Sequence, residues 1–462
     1  MPSVSTEEIR LPEGAAYILK KLNDAGYAAY AVGGCVRDSL LGRTPKDWDI
    51  ATSARPTEVA SVFSGERLLE TGLQHGTVTL LMEGEPYEIT TFRMDGRYTD
   101  CRRPDRVEFT SSLEADLARR DFTVGAMAYH PSTGVVDLYG GRADLEARVI
   151  RCVGDPAQRF TEDALRMLRA LRFASELDFT IEPATLAAAE SYRGLLMKVS
   201  AERIRSELDR LLCGRGAGRV LRTGRLVLEQ ILPELGPTVD LSQRTPYHIY
   251  DVFEHTLRTV EAAPPEATLR LTMLFHDLGK PTCFRMDASG RGHFPGHPQE
   301  SARLAEKILG RLRYDNQTAG EVLTLVRLHD YKLKADPVAV RRLLSRIGEA
   351  RFRQLLAVQR ADAAGKAPVY GARQIALVGR VEETLNQVVE RGDCVSLHQL
   401  AVDGHALMAV GIPAGPVLGK TLHSLLEQVM EEKLPNERQT LLQAGRQIYA
   451  SNTGKNKTPD GC

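Results

Sequence analysis

Around residue 150 the hydrophobic pattern of this chain changes its period. Upstream, short runs alternate apolar and polar residues, as in "TVTLLM" (77–82) and "PYEITTFR" (86–93), parted by "EGEP" in the manner of a hairpin. Downstream, from "DPAQRFTEDALRMLRALRFASEL" (155–177), apolar residues recur at helical spacing and strand signals become scarce. One such switch in 462 residues predicts a small mixed α/β unit at the N-terminus, ending at roughly residue 150, followed by a long helical region.

Bulk properties narrow the class. The composition, 43% hydrophobic and 26% charged, is that of a globular chain. No run of about 18 apolar residues predicts a membrane span, and the N-terminus lacks the basic start and apolar core of a signal peptide. Seven scattered cysteines with no CxxC pair suggest reduced thiols and a cytoplasmic setting. Formal net charge is zero, so overall charge does not mark a nucleic-acid binder. Between Ala201 and Leu226, however, Arg203, Arg205, Arg210, Arg215, Arg219, Arg222 and Arg225 face only Glu202, Glu207 and Asp209. Such a segment is either a solvated helix face or a patch for phosphates.

Chemistry concentrates first near the N-terminus. A helix over 12–27 leads to a strand, "AYAVGG", whose paired Gly33 and Gly34 open a helix carrying Arg37 and Asp38. Glycines there let backbone N–H groups approach a phosphate with no Cβ in the way. In "KDWDIAT", Asp47 and Asp49 stand two apart and, on a strand, face the same side. Carboxylates held so can share divalent cations, with Glu88 of "YEITTFR" as the natural third acid. A lone DxD is otherwise a solvent-facing strand. "RRDFTVGAMA" places Arg119, Arg120 and Asp121 before a helix-like segment. "RFTEDALRMLR" sets Glu162, Asp163 and Arg166 within one predicted turn, with Asp163 and Arg166 at i and i+3. That pair is either an intrahelical salt bridge or a hydrogen-bonding template for the edge of a base.

These segments, with "DLYGGRADL" and "SAERIRSELDRLL", occur in the order seen in class II tRNA nucleotidyltransferases, the CCA-adding enzymes and their bacterial poly(A) polymerase relatives. The resemblance covers residues 28–212 almost continuously. It implies a polymerase-β-like head with a mixed sheet (1–150), followed by an all-α neck (151–225), a helical body (226–375) and an RNA-binding tail (376–450). The last residues, 451–462, are expected to be disordered. It further implies Asp47 and Asp49 as Mg²⁺ ligands assisted by Glu88, and Gly33, Gly34, Arg37 and Asp38 around the triphosphate. Arg119, Arg120 and Asp121 would meet sugar and phosphates, and Asp163 and Arg166 would select C or A with Glu162 orienting them. Arg169 joins the nucleotide-contacting set. A mobile loop is expected at 93–106. One departure stands out: the family usually carries asparagine where this chain has Gly125, which takes an amide from the end of the expected active-site helix.

A second cluster lies between 248 and 330, which hold six of the eleven histidines. His255, His276, Asp277 and, later, Asp362 suit a divalent metal held by imidazole and carboxylate. The sequence resembles the HD phosphohydrolase domain, and its ligands map onto these four. His297 and His329 match the extra histidines of members with a second metal, and Lys280 is the expected phosphate contact. The metal is unidentified, and the site is either structural or acts on phosphates at RNA ends. Residues 400–442 resemble the closing segment of CCA-adding enzymes with an HD domain, with "GPVLGK" and Lys420 expected to meet tRNA phosphate. The expected activity is CCA addition to tRNA from CTP and ATP, by a monomer or homodimer without a membrane partner. A-only addition, poly(A) synthesis and an HD phosphohydrolase remain alternatives.

Overall fold

The protein is described here by a computed structural model over residues 9–72, 76–95 and 107–454. The chain divides into two compact units, Met1–Val239 with Lys307–Asp315, and Asp240–Glu306 with Asn316–Cys462.

The first unit begins with helix α1 (Glu13–Asp24), whose Ala15, Ile18, Leu19 and Leu22 form one buried stripe. Gly26, at φ +85°, turns the chain into β1 (Ala29–Val32). Then follow α2 (Gly34–Leu40), β2 (Asp49–Thr52), α3 (Pro56–Val62), β3 (Arg67–Gly72), β4 (Thr77–Met82) and β5 (Glu85–Thr91). Short β6 (Arg93–Asp95) and β7 (Val107–Phe109) pair with each other. The expected mobile loop between them falls mostly at 96–106, outside the described residues. Next come α4 (Leu113–Ala118), β8 (Met127–His130), β9 (Gly134–Asp137) and α5 (Gly141–Ala147).

The main sheet has seven strands in the order β3-β4-β5-β2-β1-β8-β9. It is mixed because β2 and β5 run parallel while their neighbours pair antiparallel. Alternation assigns its faces. Ile50 and Ile89, partners across β2 and β5, enter a core with Ile18, Leu22, Val59 and Phe63. Ala51 goes to the opposite side with Val32, Phe92, Leu117 and Ala128. The β4–β5 hairpin is closed by Glu83 (φ 52°) and Gly84 (φ 90°), the left-handed pair that a two-residue turn between twisted strands demands.

Two expectations need correcting. The segment after Arg119, Arg120 and Asp121 is a single 3₁₀ turn, Thr123–Gly125, leading directly into β8, so Gly125 closes that turn rather than an α-helix. The 155–177 pattern is two helices, α6 (Pro156–Glu162) and α7 (Leu165–Leu177). Asp163 separates them with extended backbone (φ −136°, ψ 105°), and its own Oδ1 accepts from the Leu165 N–H. An aspartate that bonds the backbone two residues on competes with helix continuation. Helices α8 (Pro183–Tyr192) and α9 (Ala201–Leu212) follow.

The second unit is helical apart from one two-stranded ribbon among the described residues. Its helices Val252–Ala262, Ala267–Phe275 and Glu349–Ala364 bury Leu257, Leu271, Phe275, Phe352 and Leu355. Helices Pro416–Met430 and Arg438–Gly454 close on Leu407, Leu425 and Leu441. The last helix thus continues to residue 454, past the point where the polar tail was expected to lose order. Residues 455–462 lie outside the described range. No described helix is long and apolar enough to cross a membrane.

Candidate active site

The carboxylates of the first unit meet through strand register. Asp49 pairs with Glu88 across the parallel β2–β5 ladder, so both side chains leave the face opposite Ile50 and Ile89. Asp47 is not on the strand. Opposite Asp49, β1 ends at Val32 and the chain turns away at Gly33, so residues 47 and 48 have no ladder partner there. Its charge still reaches Asp49. Burial first, then Asp47 and Glu88, push the Asp49 carboxyl up to about 6, with Arg120 pulling the other way. Asp49, raised by the two neighbouring carboxylates, stands in an oxygen-rich setting of the kind hard divalent cations prefer.

Gly33 completes the wall. Its φ of +78° favours glycine, and a Cβ there would come 2.9 Å from Arg120 Nη1. Arg120 also donates to the Gly125 carbonyl and to Asp116 Oδ2, at 3.4 and 3.2 Å. Arg119 donates to Asp116 Oδ1 at 2.7 Å. Asp116, which sequence reasoning missed, is the buried anchor of both arginines, spaced at i+3 and i+4 in "DLARR". Arg37 forks onto the neighbouring Asp38 at 2.9 and 3.0 Å, and its guanidinium lies 5.3 Å from the Phe173 ring. Arg169 lies 5.6 Å from that ring and ion-pairs with Asp121 at 2.6 Å. Burial favours a neutral Asp121, but Arg169 and Arg166 outweigh it and hold its carboxyl below the usual range.

The expected base-reading residues are assembled differently from the expectation. Asp163 and Arg166 do not share a helix face. Glu162 takes both Arg159 Nη2 and Arg166 Nη1 at 2.6 Å, and Arg166 Nη2 donates to the Arg119 carbonyl at 3.0 Å. Asp163 instead accepts from Arg203 Nη2, on α9, at 2.8 Å. The arginine-rich segment is largely engaged internally. Arg210 meets Glu176, Arg219 meets Asp178 and Arg225 meets Glu229.

In the second unit all the predicted ligands converge. His255 comes from a helix, His276 caps another, Asp277 follows in a turn, and His297 opens helix His297–Arg311. His329 follows helix Asn316–Leu328, and Asp362 lies in Glu349–Ala364. Each histidine presents Nδ1 to a backbone carbonyl: His255 to Gly365, His276 to Met273, His297 to Phe294 and His329 to Val326, at 2.7–3.0 Å. Donation there leaves the lone pair on Nε2. Burial, with help from His276, pushes His329 down to about 3, and burial also lowers His297, so these rings stay neutral.

The four Nε2 atoms gather in two pairs. His255 and His276 stand 3.3 Å apart, His297 and His329 3.1 Å apart. Asp277 Oδ2 faces the first pair at 3.5 and 3.1 Å, Oδ1 the second at 3.5 and 3.8 Å. Neither buried oxygen receives a well-directed hydrogen bond, although Lys280 Nζ is 2.7 Å from Oδ2. Lone pairs facing lone pairs are repulsive until a cation intervenes, and the neutral imidazoles and carboxylates fit divalent metal. Lys280 is itself buried, bonded to Gln243 and against the Phe294 ring. A cavity of about 760 Å³ opens over the cluster, lined also by Tyr247, Arg291, Lys332, Lys366, Tyr370 and Arg373.

Comparison with known proteins agrees with this architecture. Residues 29–151 match the poly A polymerase head domain, 178–237 the RNA and SrmB-binding site of polymerase A, and 299–444 tRNA nucleotidyltransferase domain 2. A CCA-adding enzyme of Levilactobacillus brevis is 36% identical over 94% of this chain and 97% of its own length. That of Pediococcus pentosaceus is 50% identical over 45% of this chain and 52% of its own. The crystal structure of the Bacillus stearothermophilus CCA-adding enzyme in complex with CTP superposes with a TM-score of 0.72 at 30% identity, over 96% of this chain and all of that one. With its polymerase-β-like head and helical remainder, the chain belongs to the CCA-adding enzymes, which are tRNA nucleotidyltransferases.

Proposed function

We infer that this chain adds C, C and A to tRNA 3′ ends without a template, taking CTP and ATP and releasing pyrophosphate. The observation that carries the assignment of chemistry to residues is the Asp49–Glu88 register, with the Asp47 charge acting on Asp49 and Gly33 laid against Arg120. The terminal ribose oxygen bonds to the α-phosphorus of the nucleotide while the bond to the β-phosphate bridge breaks. Asp47 and Asp49, assisted by Glu88, would hold Mg²⁺, which supplies activation of the attacking hydroxyl and charge neutralisation on the departing pyrophosphate. Arg120 and the Gly33–Gly34 turn cradle the triphosphate, and Arg37, fixed by Asp38, adds a fork for its oxygens. Asp121, steadied by Arg169, lies toward the ribose. Asp163 accepts from the exocyclic amine that C and A share, and Arg166, oriented by Glu162, donates to the adjacent ring nitrogen. Residues 1–150 thus carry the chemistry, 151–225 select the base, and the tail at 376–450 holds tRNA by shape and backbone. The setting that supplies this substrate is cytoplasmic.

The test uses Mg²⁺, CTP and ATP with tRNAs lacking CCA, ending in CC, or complete, beside an Asp47→Ala/Asp49→Ala variant. Growth of each incomplete tRNA to a single length, lost in the variant, is the expected outcome. Extension of the CC-ended tRNA alone would make this an A-adding enzyme, and long A tails a poly(A) polymerase.

A second reading is favoured by the paired imidazoles. His255, His276, Asp277 and Asp362 would hold one divalent metal and His297 and His329 would help hold a second, which would supply water activation in an HD-type phosphohydrolase site acting on phosphate at RNA ends. Atomic emission on the purified chain is expected to find up to two transition-metal ions, fewer after His276→Ala. Equal metal content in both would remove this reading.

A further inference from the structure

We propose that Arg203 is a positioning residue for base selection, holding the Asp163 carboxylate at the angle from which it reads the nucleotide. The inference rests on the reading of Asp163 as a base-selecting residue. Asp163 sits in the break between α6 and α7 with extended φ and ψ, its N–H on the Arg159 carbonyl and its own carbonyl taking the Arg166 N–H, so its backbone is anchored while its side chain is set by other contacts. Two contacts orient its side chain: Oδ1 accepts from the Leu165 N–H at 3.1 Å and Oδ2 from Arg203 Nη2 at 2.8 Å. The first is local and permits rocking about the side-chain bonds. The second reaches 40 residues along the chain to α9 and stops that rocking.

Arg166, the donor half of the template, is held by an independent set of contacts: Glu162, the Arg159 carbonyl and the Arg119 carbonyl. Acceptor and donor are thus aimed separately, and among the described residues Arg203 is the only cation at ion-pair distance from Asp163. A carboxylate offers about four acceptor positions, so two contacts leave lone pairs for an amine.

A purely structural tie would be expected to satisfy the whole guanidinium. Arg203 Nη1, however, is buried with no hydrogen-bond partner. Leaving such a donor buried and unpaired is unfavourable, and a site that tolerates it is keeping the arginine for something other than stability. Selection supplies that purpose. Cytosine and adenine each present an amine beside a ring acceptor, whereas uracil presents a carbonyl beside an N–H. A fixed carboxylate repels the uracil carbonyl; one free to swing away does not.

The experiment measures kcat/KM for CTP and UTP, on a tRNA lacking CCA, for the full-length wild type, Arg203→Ala, Arg203→Lys and Asp163→Ala, with melting temperatures recorded. Arg203→Ala is expected to lose about tenfold to a hundredfold in kcat/KM for CTP, with a smaller loss for UTP, so that the CTP:UTP ratio falls. Arg203→Lys, which keeps the charge, is expected to recover part of that ratio. An unchanged ratio in Arg203→Ala, while Asp163→Ala lowers it, would overturn the proposal. A ratio unchanged in Asp163→Ala too would instead remove the underlying assignment of Asp163. Loss of melting temperature with a preserved ratio would make Arg203 a structural tie and equally overturn the proposal.

Discussion

Asp116 is 1% exposed and serves two arginines at once, Arg119 on Oδ1 and Arg120 on Oδ2. Burial alone would raise its pKa, but the two guanidiniums outweigh that and hold the carboxyl below its usual range. The folded-state pKa is therefore the lower one. The stability it contributes is complete above the unfolded value of about 4 and is lost as pH falls toward the folded value. Asp116→Asn should cost about 3 kcal/mol near neutrality, since it removes the buried counter-charge shared by two partly buried cations. It should also flatten the acid limb of a plot of melting temperature against pH. A variant whose acid limb matches the wild type would show that other carboxylates govern acid unfolding. At this scale the sequence was legible where chemistry follows residue type: Asp49, Glu88 and the histidine cluster. It was silent where a partner lies far along the chain. Nothing in "SAERIRSELDRLL" says that Arg203 reaches Asp163.

Among elements, the β4–β5 hairpin determines the site as firmly as any catalytic residue. A slip of one residue would carry Glu88 to the face of Ile89 and separate it from Asp49. The hairpin itself, with Glu88 on its second strand, was readable because alternation and an "EG" turn both act within a few residues. The break after α6 was not: "TEDALR" contains no glycine or proline, and its residues are compatible with continuous helix. The Asp163 side chain, accepting from the Leu165 N–H and tied to Arg203 on α9, accompanies the break there. The approach of α5 to the 3₁₀ turn is similarly hidden in sequence. A Cβ on Gly141 would lie 2.3 Å from the Thr123 carbonyl oxygen, a backbone atom with little room to yield. Gly141→Ala should therefore cost about 1–3 kcal/mol in urea unfolding. By shifting the turn beside Asp121 it should also slow nucleotide addition. Unchanged stability would mean that α5 can move aside freely.

For the whole molecule, the two units hold two different donor sets: oxygen-only carboxylates in the first, imidazoles with carboxylates in the second. Their metal preferences should differ accordingly. In calorimetry, Ni²⁺ at about 100 times its Kd should stabilise the second unit by about 2.7 kcal/mol, an effect absent from His276→Ala. A shift of the same size in that variant would place the bound ion elsewhere.

The boundary between the units has a consequence for how the protein is made. Lys307–Asp315 belongs to the first unit, where Tyr314 donates to Asp209 and Arg311 pairs with Glu234. On the ribosome, the first unit cannot be finished when residue 239 has emerged. Those two contacts must wait roughly 75 residues more, about 4–15 s at 5–20 residues per second. During that interval Asp209 and Glu234 wait for these two partners, and the packing around them is completed only by chain that is made later.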